Sequence, residues 1–559
     1  METPRTDRPM NVSRYLVTRL SDAGIGHAFG VPGDYTLDFL DHLLDSPIRW
    51  VGTCNELNAG YAADGYARLR GAGLAVVTYA VGGFSVLNAV AGAYAENVPL
   101  LVVSGAPSGR VRAAGALVHH LVGDFLLQAD VFRRFTAATA FLSDAATAPA
   151  EIDRVLSAAL AARLPGYIEI PMDLARTPCA APGPLPSFVP PASDPAALAE
   201  AVAEAVERID RAKSPVVLVG VEALRFGLAP AVLALVERIE LPFATTTSSK
   251  AALPELHPQY VGLYQGVLSR PEVRRQVEES DCVLALGVKM TDWDTGMFTM
   301  GIDPSRMIRA GVRDVAIRSH TYPAVNLGDL VGALSAALTP RRYEESHPRQ
   351  AVRPPAPVVP CAEAPLTAES FFRRLATFLD DSMTVVSDVS DVLCGASDLH
   401  VQEADRFLCQ AYYCSIGWSV PAALGAALAR PERRPVVLVG DGAFQMTAQE
   451  VSTLMREKTR AIVFVLDNDG YLIERLLHDD AAYNDVQRWR YAALPAVFGD
   501  GAVSFRVTTE GELEAALDAA RVETEKVVFV HLALSGREPS AGLARLCAAY
   551  REKLAGRRG

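Results

Sequence analysis

Short aliphatic runs of strand length recur along the chain, separated by alanine-rich or amphipathic stretches of helix length. The clearest lie at 74–77 and 100–103, at 216–219 and 282–286, and at 436–439 and 462–466. They are apolar throughout rather than alternating, which predicts strands buried on both faces. Such strands alternating with helices predict α/β blocks with parallel sheets covered on both sides. Residues 178–195 and 340–365 hold seven prolines each, too many for a continuous helix or a central strand, so both read as extended linkers. They divide the chain into three blocks, at 1–177, 196–339 and 366–559.

One stretch strains this reading. Residues 71–95 are 25 consecutive positions without a charge, and 99–108 continue in the same vein, long enough by hydropathy for a membrane span. Gly82, Gly83 and Pro99 interrupt it, and the runs 75–77 and 100–103 have strand length. A buried strand, a glycine turn, a small-residue helix and another buried strand account for the same hydropathy.

Composition narrows the class. Half of the 559 residues are hydrophobic and 21% are charged, which excludes a disordered chain. Lys and Arg number 53 against 65 Asp and Glu, a formal charge of −12, which argues against nucleic acid or an anionic membrane as the main partner. An anionic substrate is still allowed, because a site needs only local positive charge. The eight cysteines include no C-x-x-C pair and fit reduced thiols in a cytoplasm. The polar N-terminus has no apolar segment like that of a secretion signal, so a cytoplasmic soluble protein is expected. No G-x-G-x-x-G follows a predicted strand, and H-E-x-x-H, G-x-x-x-x-G-K-[ST] and G-x-S-x-G are absent.

The third block carries the most specific chemistry. The strand at 436–439 runs into Gly440-Asp441-Gly442, with an amphipathic helix expected from about Phe444 to Glu457, and the strand at 462–466 runs into Asp467-Asn468-Asp469-Gly470. Asp441 and Asn468 lie 27 positions apart, the length of one strand-helix-strand unit, so both fall at neighbouring strand ends on the edge where parallel sheets bind ligands. Two oxygen-bearing side chains there, with glycines that let the backbone approach closely, suit a hard divalent cation such as magnesium together with phosphate oxygens. An ordinary glycine turn is the competing reading; the second oxygen cluster at the crossover distance favours the metal.

Through these segments the sequence resembles the thiamine diphosphate-dependent 2-keto acid decarboxylase family, which includes pyruvate, indolepyruvate, phenylpyruvate and branched-chain keto acid decarboxylases. Gly440-Asp441-Gly442 followed by Asp467-Asn468 is similar to the cofactor motif, and the stretch from Ser415 through Ile416 to Ala423 resembles the decarboxylases in particular. Residues 447–451, 470–474, 483–485 and Trp489 agree with the same group, and residues 54–68 resemble the first-domain signature around Glu56. The likeness runs from about residue 15 to residue 499.

The resemblance implies three doubly wound parallel-sheet domains: pyrimidine-binding (1–177), central (196–339) and diphosphate- and magnesium-binding (366–559). It implies that Glu56 bonds a ring nitrogen of the cofactor's aminopyrimidine, and that Asp441, Asn468 and the Gly470 carbonyl hold Mg2+. Ile416 would wedge between the cofactor rings, Cys414 would offer a backbone carbonyl, and Asp391, Gly440 and Gly442 would lie around the diphosphate. Asp34, His119, His120 and Glu474 would form the proton relay that ends in aldehyde release, groups suited to acid-base work near neutrality. Leu393, Cys394, Ile473 and Leu477 would line the substrate side-chain pocket.

The implied reaction is non-oxidative decarboxylation through a cofactor ylide and enamine. Small pocket side chains point to an aromatic or branched-chain 2-keto acid. Pyruvate itself, a carboligase forming hydroxyketones, and a cofactor-binding subunit without turnover are the alternatives. Because the first-block glutamate of the family serves a cofactor bound by the partner subunit, a homodimer with interfacial sites, paired into a homotetramer, is expected. Leu121, Asp467, Val389 and Cys414 depart from the family pattern, and Glu96 is expected at the dimer interface.

Overall fold

The computed structural model describes residues 9–340, 356 and 358–557; most of the second proline-rich segment lies outside the described residues. Three sheets are formed. In the first, the strands follow the order Arg49–Gly52, His27–Gly30, Gly73–Val77, Leu100–Ala106, Gly166–Pro171 and Ala138–Phe141, every pair parallel. The third sheet repeats that winding: Phe407–Cys409, Met383–Ser387, Arg434–Gly440, Ile462–Asp467, Val527–Ala533 and Ala502–Val507, again all parallel. Numbered within its own block, each sheet runs 2-1-3-4-6-5, so each reverses direction between its first and third strands. All six predicted runs are strands, and the central ones are buried on both faces.

The middle sheet is parallel over most of its width. Its strands Met307–Ala310, Cys282–Leu286, Pro215–Val219, Phe243–Thr245 and Tyr260–Leu263 are parallel, but Asp314–Ile317 and His320–Pro323 add an antiparallel hairpin at one edge. A two-residue turn with Arg318 at φ 55° makes the hairpin, and its outer strand is largely exposed, so no apolar run betrays it. The parallel part has the strand order of many dinucleotide-binding folds, yet its glycines are spent on packing: a Cβ on Gly220 would lie 2.2 Å from the Gly287 carbonyl oxygen.

Packing defines two compact units. One comprises the chain up to Pro190 together with Val420–Glu432 and Thr447–Thr459; the other comprises the rest from Pro191 on. In the first unit, the helices Glu56–Arg70, Val81–Ala95 and Ser419–Ala429 approach one another through small residues. A Cβ on Gly60 would meet the Ala89 Cβ at 2.4 Å, one on Gly65 the Ala422 carbonyl oxygen at 2.3 Å, and one on Gly425 the Ala62 carbonyl oxygen at 1.9 Å. Backbones in such contact leave no room for larger side chains, which is why these helices are rich in Ala and Gly.

The uncharged stretch is the strand Gly73–Val77, the helix Val81–Ala95 and the strand Leu100–Ala106. No helix among the described residues is long and apolar enough to cross a membrane. Gly82 and Gly83 lie in the first helical turn rather than in a turn before it, because Gly83 packs against Gln128, whose Oε1 would be 2.1 Å from an added Cβ. Glu96 is 3% exposed within its own chain and faces Arg68 at 3.4 Å, with Asp64 on the same guanidinium, in a buried ion pair. The first linker ends one residue early: Pro195 opens the helix Pro195–Arg211 under an Asp194 cap, a position where the missing N–H costs nothing.

The helix expected over 444–457 also differs. It starts at Asp441 and breaks into Asp441–Thr447, a 3-10 turn Ala448–Glu450 and Val451–Arg456.

Gly425→Ala separates propensity from packing. Alanine is favoured over glycine in a helix by about 1 kcal/mol, but the Ala62 backbone cannot yield, and overpacking of this kind costs about 1–3 kcal/mol or more. The variant should lower the midpoint of thermal unfolding; a raised midpoint would mean the helices do not touch.

Candidate active site

The third sheet reverses direction between Met383–Ser387 and Arg434–Gly440, and ligand-binding residues of open α/β sheets gather at such a point. Asp388 follows the first of these strands. Fully buried, it accepts hydrogen bonds from the amides of Val389 (3.1 Å), Gly417 (3.1 Å) and Ser419 (3.1 Å) and from the Ser419 hydroxyl (2.8 Å). Burial raises its carboxyl, and these donors hold it back. The sequence reading passed over Asp388, although an acid closing an apolar strand was the available signal. It anchors the loop that carries Cys414 and Ile416. Cys414, in the position where glycine is usual, has φ 56° and is tied back by its amide to the Gln410 carbonyl at 3.1 Å.

Ser390 takes φ 72° and ψ −142°, a conformation nearly restricted to glycine, and opens the short helix Asp391–Ala396. Asp391 accepts from the Ser540 amide at 3.0 Å and is raised by burial. Its second oxygen has no partner among the described residues.

Asp441 and Asn468 stand at adjacent strand ends, 4% and 6% exposed. One Asp441 oxygen accepts from the Gly442 amide and the other from the Gly470 amide, both at 2.9 Å. Burial pushes the Asp441 carboxyl up to about 7 despite those donors, and the nearby Asp467 charge adds to the effect. A buried carboxylate at one strand end and a carboxamide just past the next, with the anion disfavoured until a cation arrives, form a donor set that fits a hard divalent ion. No group of three or more His, Cys, Asp or Glu side chains able to hold a metal occurs among the described residues, and this donor set needs none. Gly440 has open space beside it; Gly442 instead meets the Tyr471 ring, 2.5 Å from an added Cβ. Asp467 turns away toward His531 Nε2 at 2.9 Å. Burial would raise its carboxyl, but the histidine's hydrogen bond and charge bring it below the usual range.

In the first unit the sheet reverses between His27–Gly30 and Gly73–Val77, and the turns after those strands meet: a Cβ on Gly33 would lie 2.4 Å from Thr78 Cβ. Asp34 reaches His119 Nε2 at 2.8 Å. Tyr35 stacks on His119 with ring centroids 4.8 Å apart, and His120 meets His119 edge-on at 4.7 Å, its backbone at φ 66°. Asp34, His119 and His120 thus form one cluster at the surface, ordered by Tyr35, whose stacking no sequence motif specifies. Leu121 packs into the small apolar cluster of Tyr35, Tyr79 and Ala106.

Glu56 begins the helix Glu56–Arg70, capped by Asn55, and its Oε1 lies 3.3 Å from where a Gly82 Cβ would be. The start of this helix is held by Glu450, whose carboxylate accepts from the Cys54 amide (3.2 Å) and Asn58 Nδ2 (2.7 Å). That gives the 447–451 motif a positioning task that its sequence alone did not reveal.

Glu474 is exposed on the short helix Leu472–Leu477. Cys394, Ile473 and Leu477 share one apolar cluster with Leu268, Leu472, Leu543, Leu546 and Cys547. Leu393 does not join them: fully buried, it faces the core of the third sheet with Val389.

Comparison with known proteins agrees with this geometry. Residues 10–125, 202–339 and 392–532 match, respectively, the families described as Thiamine pyrophosphate enzyme, N-terminal TPP binding domain, central domain and C-terminal TPP binding domain. The chain is 39% identical over 542 residues to an alpha-keto-acid decarboxylase of Mycolicibacterium paratuberculosis, covering 95% of this chain and 94% of the relative. It is 37% identical over 545 residues to one of Mycobacterium tuberculosis, covering 95% of both. The chain belongs to the thiamine diphosphate-dependent 2-keto acid decarboxylase family. Its activity class is accordingly a carbon-carbon lyase reaction on a 2-keto acid.

A buried polar network in the first unit of this decarboxylase lies under the turn at Ala80, whose φ of 53° and Val81-to-Tyr79 hydrogen bond of 2.7 Å mark a strained three-residue turn. The Ala80 amide donates to Gln128 Oε1 at 2.6 Å, and Gln128 Nε2 donates to Ser104 Oγ at 3.0 Å and to the Tyr167 hydroxyl. Tyr167 donates to Glu169 Oε2 at 2.6 Å, while Glu169 Oε1 is buried without a partner. Burial pushes the Glu169 carboxyl from its ordinary 4.5 up to about 7. Because the folded protein binds this proton more tightly than the unfolded chain, the stability it carries is complete below about pH 4.5 and is lost as pH rises toward 7, a change of about 3 kcal/mol. Denaturant unfolding across pH 4.5–7.5 should show this decline together with that of Asp441, which is raised over the same range, and Glu169→Gln should make it shallower by about 3 kcal/mol; an unchanged slope in the variant would place the titration elsewhere.

Proposed function

We propose that this chain converts an aromatic or branched-chain 2-keto acid to an aldehyde and CO2. The observation that carries the substrate class is the aliphatic cluster holding Cys394, Ile473 and Leu477. Non-aromatic side chains at these positions would leave room for more than a methyl group, which would favour such acids over pyruvate. Leu393 would line the same pocket from the neighbouring cluster, which also takes in Val389 and Ile416.

Thiamine diphosphate, when bound, supplies the electron sink for the departing carboxylate. Asp441, Asn468 and the Gly470 carbonyl would hold Mg2+ against its diphosphate, a role supported by the buried, disfavoured anion at Asp441. Gly440, Gly442 and Asp391 would frame the diphosphate, and Cys414 and Ile416 would seat the rings from the loop that Asp388 anchors. Glu56 would exchange a proton with the pyrimidine ring. Asp34, His119, His120 and Glu474 would move the protons that follow loss of CO2, a role supported by the 2.8 Å contact between Asp34 and His119. This proton-supplying cluster favours aldehyde release over carboligation.

We also propose that the enzyme works in the cytoplasm as a homodimer with interfacial sites, paired into a homotetramer. Exposed Val81, Tyr94, Leu117 and Val122 in the first unit support an interface there.

A panel of 2-keto acids, assayed for CO2 and aldehyde with and without thiamine diphosphate and Mg2+, tests the reading. The highest kcat/KM should fall on phenylpyruvate, indolepyruvate or a leucine-derived acid, and a preference for pyruvate, or hydroxyketone as main product, would overturn it. Glu56→Gln should lower kcat by more than about 100-fold while leaving the circular-dichroism spectrum intact.

A further inference from the structure

The segment 467–488 contains Asn468, Gly470 and Glu474, yet it has little apolar anchoring. In its helix Leu472–Leu477 the one fully apolar buried side chain is Leu472. Its base is closed by a hydrogen bond from the Tyr471 amide to the Asn484 carbonyl at 3.0 Å. Two backbone positions there are demanding: Asp469 at φ 73°, and Gly470 at φ 109°, where a Cβ would fall 2.4 Å from the Asn484 carbonyl oxygen.

Three arginines and three aspartates surround this segment. Arg537, from the loop after Val527–Ala533, places one nitrogen 2.7 Å from Asp469 and the other 2.6 Å from Asp480. Asp480 also pairs with Arg475, and Arg475 Nη2 reaches Asp485 at 2.6 Å and the Asp469 carbonyl at 3.3 Å. The links therefore close a ring, from the Asp469 carboxylate through Arg537, Asp480 and Arg475 back to the Asp469 carbonyl. Arg488 takes the remaining Asp469 oxygen. Three positive and three negative charges cancel, so no ligand is needed to balance them.

We propose that this ring is an ionic clasp and that Arg537 and Asp480 are positioning residues, which hold 467–488 in the conformation that presents Asn468, the Gly470 carbonyl and Glu474. The assignment of those three residues rests on the function proposed above; the clasp itself does not. Arg475 is 5% exposed, while the other five members are 36–75% exposed. Exposed pairs of this kind add little to global stability, but a ring through both ends of a segment restricts what that segment does alone. An arginine suits the bridging place because its planar fork reaches two carboxylates at once.

The test uses the full chain free of cofactor, with Arg537→Gln, Asp480→Asn and the double variant. Amide hydrogen exchange over 470–477 should be about tenfold faster in each single variant and no faster in the double one, since both break the same ring. The thermal midpoint should stay within the range of surface substitutions. The affinity for thiamine diphosphate at saturating Mg2+, read by tryptophan fluorescence, should weaken about tenfold in parallel. Molar sodium chloride should bring the unaltered protein toward the variants, because exposed charges are screened. Exchange unchanged by either substitution and by salt would overturn the clasp, as would additive effects in the double variant. If the unaltered protein fails to bind thiamine diphosphate, the functional assignment falls, while exchange still reads the clasp.

Discussion

One buried carboxylate organises the ligand edge of the third sheet. Asp388 leaves water entirely, and an anion does so only where donors replace its hydration. Three amides and one hydroxyl do this: the Gly417 amide from the loop before the helix Ser419–Ala429, the amide and hydroxyl of Ser419 at that helix's first position, and the amide of Val389. That loop cannot move without stranding the charge. Ile416 is consequently held in place by the electrostatics of its neighbours as well as by its packing against the core of the third sheet, and the helix after it begins at a defined point. Loss of the carboxylate would leave several donors unsatisfied, each costing about 1–3 kcal/mol.

Backbone strain marks the cofactor and proton segments within each unit. In the second, Ser390, Cys414 and Asp469 have positive φ without being glycine; in the first, His120 does, as does Ala80 at the turn inside the uncharged stretch. Such conformations cost about 1–3 kcal/mol apiece and persist only where the surroundings over-determine them. The surroundings here are visible: Gln128 receives the Ala80 amide, and Gln410 ties back Cys414. The Asp469 carboxylate and carbonyl are both engaged by arginines.

How much of this was legible in the sequence follows from the physics of each feature. Strands buried on both faces write themselves as aliphatic runs, so the strand ends carrying Asp441 and Asn468 could be placed by counting one crossover between them. The hairpin Asp314–Pro323 could not, because an exposed edge strand needs no apolar run. The family motifs supplied Asp34, Glu56 and the histidine pair but not their orientation, so the stacking of Tyr35 on His119 and the two amides held by Glu450 emerged only from coordinates. Leu393 and Cys394 are neighbours in sequence, yet a helix turns successive side chains by about 100°, which sends one into the sheet core and the other into the apolar cluster under the C-terminal helix. Distant partners such as Asp467 with His531, or Arg537 with Asp480, leave no local trace at all.

The first compact unit is discontinuous in sequence, and this bears on how the protein is made. Its sheet is complete by Pro190, but the helix whose glycine packs against Ala62 begins only near Val420, 230 residues later. At about 5–20 residues per second, the Ala- and Gly-rich face of Glu56–Arg70 waits about 10–50 s for its cover during synthesis. Over that interval the nascent chain offers a flat, apolar helix surface to any neighbour, including the same surface on another ribosome's product. The close backbone contacts that give the finished unit its density thus make the unfinished one dependent on slow dilution or on a chaperone's shelter.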